Sequence, residues 1–510
     1  MEKAHKNPSD FLERERLREK GQFWTPDWIA EAMIGYIISE GNQEVFDPAV
    51  GAGAFFRAAK KMAREKGIEL TLTGMEIDSN ALEEAKKRGL SDSDLAQVVI
   101  GDFLVSPQPE KRKAIVANPP YIRHHRLTAD CKATLKKLAL ETIGEQLDGR
   151  AGIHIYFLLR ALVSLSQRGK LAFIMPADTV EGLSAPVLWN WIARNYRLDA
   201  VVTFLPDATP FPTVDTNPLI FLIRNDIPQD SFYWVKCTKA NTSQLKEWTL
   251  SGLRTITLND LVIYERSLSE ALITGLSRPI PSKEQIGMTL SCFARVMRGV
   301  ATGANAFFFL TVEQAKALKI PNEFLTQAVG RTRDIKGCEF TKNDLDQLQA
   351  KGRPTLLFSP DKRSIDQFPI HVREYLKLGE AKRLNRRPLI ASRRPWYKME
   401  TRPPPPIIFT YLGRRDVRFI ANKAQVIPLT GFLCIYPRQD NAEFVDKLLT
   451  ALRHPQTIEN LRFVGKTYGN GAIKVEPRAL EKLCIPTSVL NQADLEVPYE
   501  KPRELQTTLC

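Results

Sequence analysis

The sequence lacks the features that mark membrane, secreted and metal-binding proteins. No apolar run approaches the roughly 18 residues of a membrane span, and the charged N-terminal stretch contains no apolar signal core. The seven cysteines include no Cys-x-x-Cys pair, and the six histidines have no ligand spacing. We therefore expect a cytoplasmic protein without a disulfide framework, a metal site or membrane association.

Negative charge is scarce in one part of the chain. The net charge is +14, and residues 281–420 hold 26 lysines and arginines against 13 aspartates and glutamates. A basic region of this kind is typical of nucleic-acid binding, although a solvated basic face has the same composition. At 510 residues the chain is also too long for one core, so two or three domains are expected.

The full glycine fingerprint of dinucleotide-binding proteins is missing, but part of it is there. A predicted strand at 44–46 leads into a loop with Gly51 and Gly53, and a helix follows to about residue 66. This order predicts the first unit of a doubly wound α/β fold. Position 56 is Phe where the fingerprint has Gly, so a ligand without a pyrophosphate is favoured.

The most informative motif is Asn118-Pro119-Pro120-Tyr121. It follows an apolar run that predicts a buried strand, and the two prolines end that strand because neither can donate a hydrogen bond. The Asn118 side-chain oxygen and the Pro119 carbonyl can each accept one hydrogen of a planar amino group. Tyr121 can stack on the ring that carries it. The alternative is a Pro-Pro turn beside a core tyrosine.

Polar side chains recur where the predicted strands end. The four are Asp47, Glu76, Asp102 and Asn118. Carboxyl ends of parallel strands meet at one edge of a sheet, which is where such folds bind ligands. Glu76 lies where ribose hydroxyls are held, whereas Asp78 is better placed to cap the helix predicted at 80–88. Thr25 before Pro26 predicts the N-cap of a helix over 26–39.

Taken in order, the segments GQFWTP, DPAVGAGAF, GMEID, GDF, NPPY, GKLAFIMP and FP resemble a known family. It is the gamma class of S-adenosylmethionine-dependent DNA adenine-N6 methyltransferases, mostly modification enzymes of type II restriction–modification systems. The resemblance covers roughly residues 20–225. The second half resembles the family's target-recognition domain more loosely, through RGVATGAN at 298–305, the stretch 393–412 and YGNG at 468–471.

The resemblance implies a doubly wound, Rossmann-like α/β methyltransferase domain followed by a mixed α+β target-recognition domain. The expected limits are 1–240 for the catalytic domain, 241–285 for a connection and 286–510 for the basic recognition domain. The implied cofactor is S-adenosyl-L-methionine. Asparagine as the first residue of NPPY points to adenine N6 rather than cytosine N4, and the absence of a Pro-Cys motif argues against cytosine C5.

Site roles also follow from the resemblance. The cofactor-binding residues would be Thr25, Asp47, Ala49, Gly51 and Gly53 near the methionine part, Glu76 on the ribose, and Ile77, Asp102 and Phe103 on the adenine. The target-site residues would be Asn118, Pro119, Pro120, Tyr121 and Phe211, with Tyr121 and Phe211 stacking on the base. Asp47 departs from the pattern, since many relatives have Glu there.

The expected reaction is methyl transfer to N6 of a flipped-out adenine in double-stranded DNA, at a specific sequence. The enzyme would act as a monomer at the prokaryotic nucleoid, separately from a cognate restriction endonuclease. One alternative is a methyltransferase of RNA bases or of release-factor glutamine, which leaves the basic half unexplained. Another is a non-catalytic DNA-binding specificity protein, against which the four intact strand-end residues argue.

In the second half, basic residues alternate with aromatic ones. The basic residues are Arg331, Arg333, Lys336, Lys382, Arg383, Arg386, Arg387, Arg393, Arg394 and Arg402, and the aromatic residues are Trp396, Tyr397, Phe409 and Tyr411. Phosphate contacts and base readers would both have this composition. Residues 403–406, four prolines, form a stiff segment that could be a strut or a DNA contact. A helix is predicted over 441–452.

Overall fold

The structure is a computed structural model that describes most of the chain. The described residues are 24–106, 110–122, 127–212, 217–254, 258–278, 287–410, 412–413, 417–439, 441–467 and 473–496. The chain divides into two compact units, with the boundary between residues 280 and 281. Within the described ranges, no helix is both long and apolar enough to cross a membrane. The YGNG motif lies outside the described residues.

The first unit alternates strands and helices. Its elements are α1 (Asp27–Ile38), β1 (Glu44–Asp47), α2 (Ala54–Lys66), β2 (Thr71–Glu76), α3 (Ser79–Lys87), α4 (Asp92–Leu95), β3 (Val98–Ile100), β4 (Arg112–Ala117), α5 (Ala129–Ile143), α6 (Ile153–Ser164), β5 (Leu165–Pro176), α7 (Asp178–Glu181), α8 (Ala185–Asn195), β6 (Arg197–Phe204), β7 (Pro218–Arg224), β8 (Ser231–Cys237), α9 (Gln244–Leu250), β9 (Leu261–Ser267) and α10 (Leu268–Thr274).

Among the described residues these strands form one nine-stranded sheet, in the order β3-β2-β1-β4-β5-β7-β6-β8-β9. The pairs from β3 to β5 are all parallel, and β7 is antiparallel to both of its neighbours. The chain moves outward from β1 to β3 and then returns to place β4 on the other side of β1. The order of strands therefore reverses between β1 and β4, and a ligand site is expected at the carboxyl edge there.

Helices cover both faces of the sheet, which explains why residues 114–117 of β4 form an uninterrupted apolar run. Ile115 and Ala117 pack into a core that includes residues of α6, and the alternate residues Ala114 and Val116 pack into a second core with residues of α1. All four side chains are fully buried. The predicted doubly wound fold is confirmed for this unit.

Residues 244–274, most of the stretch predicted to be a connection, belong to the sheet-bearing unit. They form α9, β9 and α10, and β9 pairs antiparallel to β8 along seven residues. Trp248 of α9 is fully buried in the same core as α1. The first compact unit thus extends to residue 280 and not only to residue 240.

The second unit is mixed α+β, as predicted. Its elements are β10 (Gly287–Thr289), β11 (Ala294–Arg298), α11 (Asn305–Phe308), β12 (Phe309–Leu310), α12 (Val312–Ala317), β13 (Leu325–Val329), α13 (Lys342–Ala350), β14 (Leu356–Phe358), α14 (Ile370–Ala381), α15 (Pro388–Ala391), β15 (Ile407–Thr410), β16 (Leu412–Gly413), β17 (Phe419–Ala421), β18 (Ile427–Pro428), β19 (Phe432–Pro437), α16 (Ala442–Arg453), α17 (Pro455–Glu459), α18 (Leu461–Val464), β20 (Lys466–Thr467), β21 (Ile473–Lys474), α19 (Pro477–Leu480), β22 (Cys484–Pro486) and α20 (Thr487–Gln492).

Two small sheets carry the core of this unit. One has the strand order β11-β19-β15-β17 and the other β12-β14-β13-β18. The helix predicted over 441–452 is confirmed as α16, and the Asn441 side chain caps it by accepting a hydrogen bond of 2.7 Å from Phe444 N. Asn422 binds the Pro405 carbonyl, and Tyr436 binds that of Pro403. Two carbonyls of the proline segment are therefore held by this unit, and whether the segment also contacts DNA stays a prediction.

Candidate active site

The four polar strand ends meet at one edge of the sheet. Asp47 and Glu76 are the last residues of β1 and β2, Asn118 directly follows β4, and Asp102 follows β3 by two residues. Because β3, β2, β1 and β4 are parallel, these positions all lie at the carboxyl edge.

Asn118 is held in place by Thr25. The Asn118 amide Nδ2 donates a hydrogen bond of 3.0 Å to Thr25 Oγ1, and Thr25 is buried. The prediction that Thr25 caps the first helix is wrong. Pro26 occupies the N-cap with extended backbone angles, and its carbonyl accepts from Ile29 N, so the helix begins one residue later than predicted. The Thr25 hydroxyl therefore serves the NPPY motif.

Glu76 ties the end of β2 to the glycine loop after β1. Its Oε2 accepts a hydrogen bond of 2.7 Å from Gly51 N, and its Oε1 accepts one of 2.9 Å from Asp78 N. Each carboxylate oxygen has a second lone pair, so each can also accept from a ligand hydroxyl. Asp78 caps α3 through a bond from Asn80 N, which confirms the separate role predicted for it.

Asp47 has a buried carboxyl group that is only half satisfied. Its Oδ1 accepts a hydrogen bond of 2.9 Å from Ala49 N, whereas its Oδ2 has no hydrogen-bond partner within the described part of the chain. Burial raises the pKa of Asp47 to about 8; the bond from Ala49 opposes this rise, and the Glu76 carboxylate adds to it. A buried acceptor of this kind can be satisfied by a donor group of a ligand.

A cavity of about 500 Å³ opens at this edge. Of the predicted site residues, Thr25, Ala49, Gly51, Glu76, Ile77, Asp102, Phe103, Asn118 and Pro120 line it. Its size is within the range of small-molecule sites. The Ile77 side chain is 68% exposed and lines the cavity, so a flat ring could reach it there.

The remaining predicted residues are not among those that line the cavity. They are Asp47, Gly53, Pro119, Tyr121 and Phe211. Gly53 has a positive φ of 72°, and a Cβ there would lie 2.3 Å from Leu90 Cδ1, so this glycine serves packing between elements. The Tyr121 hydroxyl donates a bond of 2.9 Å to the Ile174 carbonyl. Phe211 is buried in the core that contains Phe204.

A second part of the cavity wall was missed by sequence reasoning. The Arg88 guanidinium lies 4.3 Å from the centre of the Trp24 ring, and both residues line the cavity. Arg88 also donates a bond of 2.8 Å to Glu84. Trp24 adjoins Thr25 in the GQFWTP segment, so a sequence motif could have indicated it. Arg88 is an ordinary helix-end residue that belongs to no motif.

In the second unit, the predicted alternation of basic and aromatic residues separates into two groups. Tyr397 and Phe409 are buried in the core and cannot stack on a base, and Tyr411 lies outside the described residues. Arg393 donates to the carbonyls of Ala301 and Thr302, so it holds the RGVATGAN loop. By contrast, a set of the predicted basic residues is exposed: Arg331, Arg333, Lys336, Lys382, Arg383, Arg386 and Arg394.

Comparison with known proteins gives consistent matches over both units. The N-6 DNA methylase family matches residues 11–226, and the C-terminal domain family of the type II methyltransferase M.Eco57I matches residues 274–506. The type II methyltransferase M.AccI of Acinetobacter calcoaceticus is 28% identical over 93% of this chain and 86% of its own. M.XamI of Xanthomonas campestris pv. amaranthicola is 24% identical over 92% and 86%.

Among solved structures, the type IIL restriction–modification enzyme MmeI in complex with DNA has a TM-score of 0.55 at 13% identity. The similarity, which is one of fold, covers 93% of this chain and 64% of that one. Three features define a Rossmann-like methyltransferase: the sheet, the cavity at the edge where its strand order reverses, and the Asn118-Pro119-Pro120-Tyr121 segment after β4. The two family matches and the type II methyltransferase relatives support an N6-adenine DNA methyltransferase of a restriction–modification system. The match in the second half accounts for a region that a methyltransferase of RNA or of release factors would leave unexplained.

Proposed function

We propose that this enzyme transfers a methyl group from S-adenosyl-L-methionine to N6 of an adenine flipped out of duplex DNA. The observation that carries the proposal is the placement of Asn118, fixed by Thr25, at the wall of the switch-point cavity. The order of motifs along the chain favours the gamma class. The first unit is the catalytic domain in this proposal, and the basic second unit recognises the target sequence.

The cavity residues fit S-adenosylmethionine, which supplies an electrophilic methyl group on a sulfonium. Asp47 directly precedes the lining residues Pro48 and Ala49, and its acceptor Oδ2 suits the amino group of the methionine part. Glu76 suits a ribose diol, and the exposed Ile77 side chain offers a surface for the adenine ring. Asp102 holds its own loop through a bond of 2.9 Å from Leu104 N and presents its acidic edge to the cavity. Acidic walls suit a cationic cofactor.

The NPPY segment would position the target amine. The Asn118 amide nitrogen donates to Thr25, and the amide oxygen, which is the acceptor of the group, would accept one hydrogen of N6. The Pro119 carbonyl accepts the second hydrogen. Two acceptors favour a tetrahedral nitrogen whose lone pair is directed at the methyl group, and the reaction then depends on positioning and electrostatics without a covalent intermediate. Base flipping costs a few kcal/mol, which stacking on Tyr121 offsets.

The second unit supports a role in DNA binding through its exposed basic side chains. Arg331 and Lys336 lie in the segment after β13, and Lys382 and Arg386 lie in the segment after α14. All four side chains are exposed. Phosphate contacts of this kind would supply affinity without sequence information. In this proposal the enzyme acts on DNA as a monomer and separately from any cognate endonuclease.

The test is methyl transfer from labelled S-adenosylmethionine to unmethylated duplex DNA, followed by nucleoside analysis of the product. We expect N6-methyladenine at one recurring sequence context. RNA and release-factor protein serve as parallel substrates, and label in either of them but not in DNA would contradict the proposal. Absence of label in every substrate, together with measurable cofactor binding, would instead favour a non-catalytic specificity protein.

A further inference from the structure

His154, in the first turn of α6, is a buried polar residue that the proposed reaction leaves unused. Its side chain is 6% exposed, and within the described residues neither ring nitrogen has a hydrogen-bond partner. A neutral imidazole carries one donor and one acceptor, so both are left unsatisfied. Buried polar groups are almost always paired, and one that is not calls for an explanation.

The neighbour of this imidazole is the aromatic residue of the NPPY motif. The ring centres of His154 and Tyr121 are 5.9 Å apart, and the ring planes cross at 78°. That is an edge-to-face pair at a favourable distance. The other end of Tyr121 is fixed too, since its hydroxyl donates to the Ile174 carbonyl on β5. Tyr121 is thus held at both ends: its hydroxyl contacts β5, and its ring contacts His154 of α6.

The start of α6 is shaped to hold the imidazole in this position. A Cβ on Gly152 would lie 2.5 Å from His154 Cε1 and 2.7 Å from Nδ1, so only glycine leaves room for the ring. The same turn is joined to the NPPY segment by a hydrogen bond of 3.2 Å from Ile153 N to the Ile122 carbonyl. Burial lowers the pKa of His154 to about 4, so the ring is neutral at working pH, although Asp178 opposes that shift.

We propose that His154 is a positioning residue for the target base: its ring fixes the plane of Tyr121 on which the flipped adenine stacks. This inference rests on the proposed function, because it requires Tyr121 to face a target base. The role belongs to the shape of the ring and not to its nitrogens. A misplaced stacking surface weakens binding of the base while leaving the cofactor cavity, which neither ring lines, intact.

The first test compares His154→Ala with His154→Phe. We expect His154→Ala to raise KM for DNA by about tenfold or more, the scale of one lost base–aromatic stack, with unchanged affinity for S-adenosylmethionine. His154→Phe keeps an edge-to-face ring and should remain within about threefold of wild type. The cofactor affinity reports that each variant is folded. Tyr233→Ala, which removes the edge-to-face pair between Tyr233 of β8 and Trp248 of α9, is the matched control and should leave KM unchanged.

The second test asks whether His154 acts through Tyr121. In a Tyr121→Ala background, His154→Ala should change KM for DNA by less than about threefold, because residues in contact do not contribute independently. In the wild type, Gly152→Ala should raise KM for DNA as His154→Ala does. In a His154→Ala background, Gly152→Ala should leave KM for DNA unchanged.

Three results would overturn the inference while leaving the proposed function intact: wild-type behaviour of His154→Ala, an equal loss in His154→Phe, or full additivity with Tyr121→Ala. A wild-type enzyme that methylates no DNA would overturn both.

Discussion

The hydroxyl of Thr25 accepts a hydrogen bond of 3.0 Å from the Asn118 amide, across 93 positions of the chain. This contact fixes the orientation of the amide group. In the proposed reaction the side-chain oxygen of Asn118 accepts from the target amine. Thr25, two residues before α1, and Asn118, directly after β4, are therefore coupled.

Thr25→Val should lower kcat on the order of tenfold, because it removes the acceptor that orients the Asn118 amide while keeping the shape of the side chain. Thr25→Ser retains the hydroxyl and is the matched control, with kcat expected near that of the wild type. Steady-state kinetics on DNA of one defined sequence measures both. An equal loss in the two variants would mean that the methyl group of Thr25, and not its hydroxyl, matters.

Binding of S-adenosylmethionine should strengthen from pH 6 to pH 8. Burial raises the pKa of Asp47 to about 8, so a carboxyl that must be ionised to accept the cofactor's amino group is mostly protonated below that pH. Calorimetry near pH 7, in buffers of different ionisation enthalpy, should show proton release on binding. Asp47→Asn should abolish the pH dependence, and a wild-type affinity independent of pH would contradict this role.

The same shift predicts a pH effect on stability without cofactor. A carboxyl whose pKa is higher in the folded than in the unfolded chain holds its proton more tightly when folded, so stability falls as pH rises from about 4 to about 8. Asp47→Asn removes this contribution. Its free energy of unfolding in urea should therefore exceed that of the wild type increasingly toward pH 8.

Ile77→Ala should weaken S-adenosylmethionine binding by about tenfold, since each CH₂ group that the cofactor buries contributes about 0.8 kcal/mol. The side chain is 68% exposed without ligand, so the free energy of unfolding should change by less than about 0.5 kcal/mol. Ile227, which is 81% exposed elsewhere in the same unit, is the matched control. A similar loss of cofactor affinity in Ile227→Ala would show that the effect is not local.

The exposed basic residues of the second unit should contribute to DNA affinity through charge alone. Lys382→Ala and Arg386→Ala should each reduce the slope of log affinity against log salt by about 0.9, if each contacts one phosphate. Arg393, whose guanidinium holds the carbonyls of Ala301 and Thr302, should instead lower thermal stability when replaced by Ala. Unchanged salt slopes in the two exposed variants would remove these residues from the DNA surface.

Much of the first unit follows from local signals. The Gly51 loop, the Asp78 cap and the polar strand ends are each specified by a few consecutive residues, and the rules for parallel sheets then bring the ends together. The family resemblance added residue roles that strand order alone could not give.

The features that were missed depend on contacts between distant segments. Thr25 before Pro26 has the local pattern of a helix cap, but its hydroxyl binds Asn118, which no local pattern reveals. Tyr397 and Phe409 resemble base readers in sequence, yet both are buried in the core of the second unit. Composition does not distinguish an aromatic side chain that packs in a core from one that stacks on a ligand.

The role of Asn118 is the central claim, and single-turnover transfer by Asn118→Ala tests it most directly. The variant should bind S-adenosylmethionine with nearly wild-type affinity and form no detectable N6-methyladenine. Asn190→Ala, on the exposed surface of α8, should behave as the wild type. Transfer by Asn118→Ala at a rate close to that of the wild type would contradict the account.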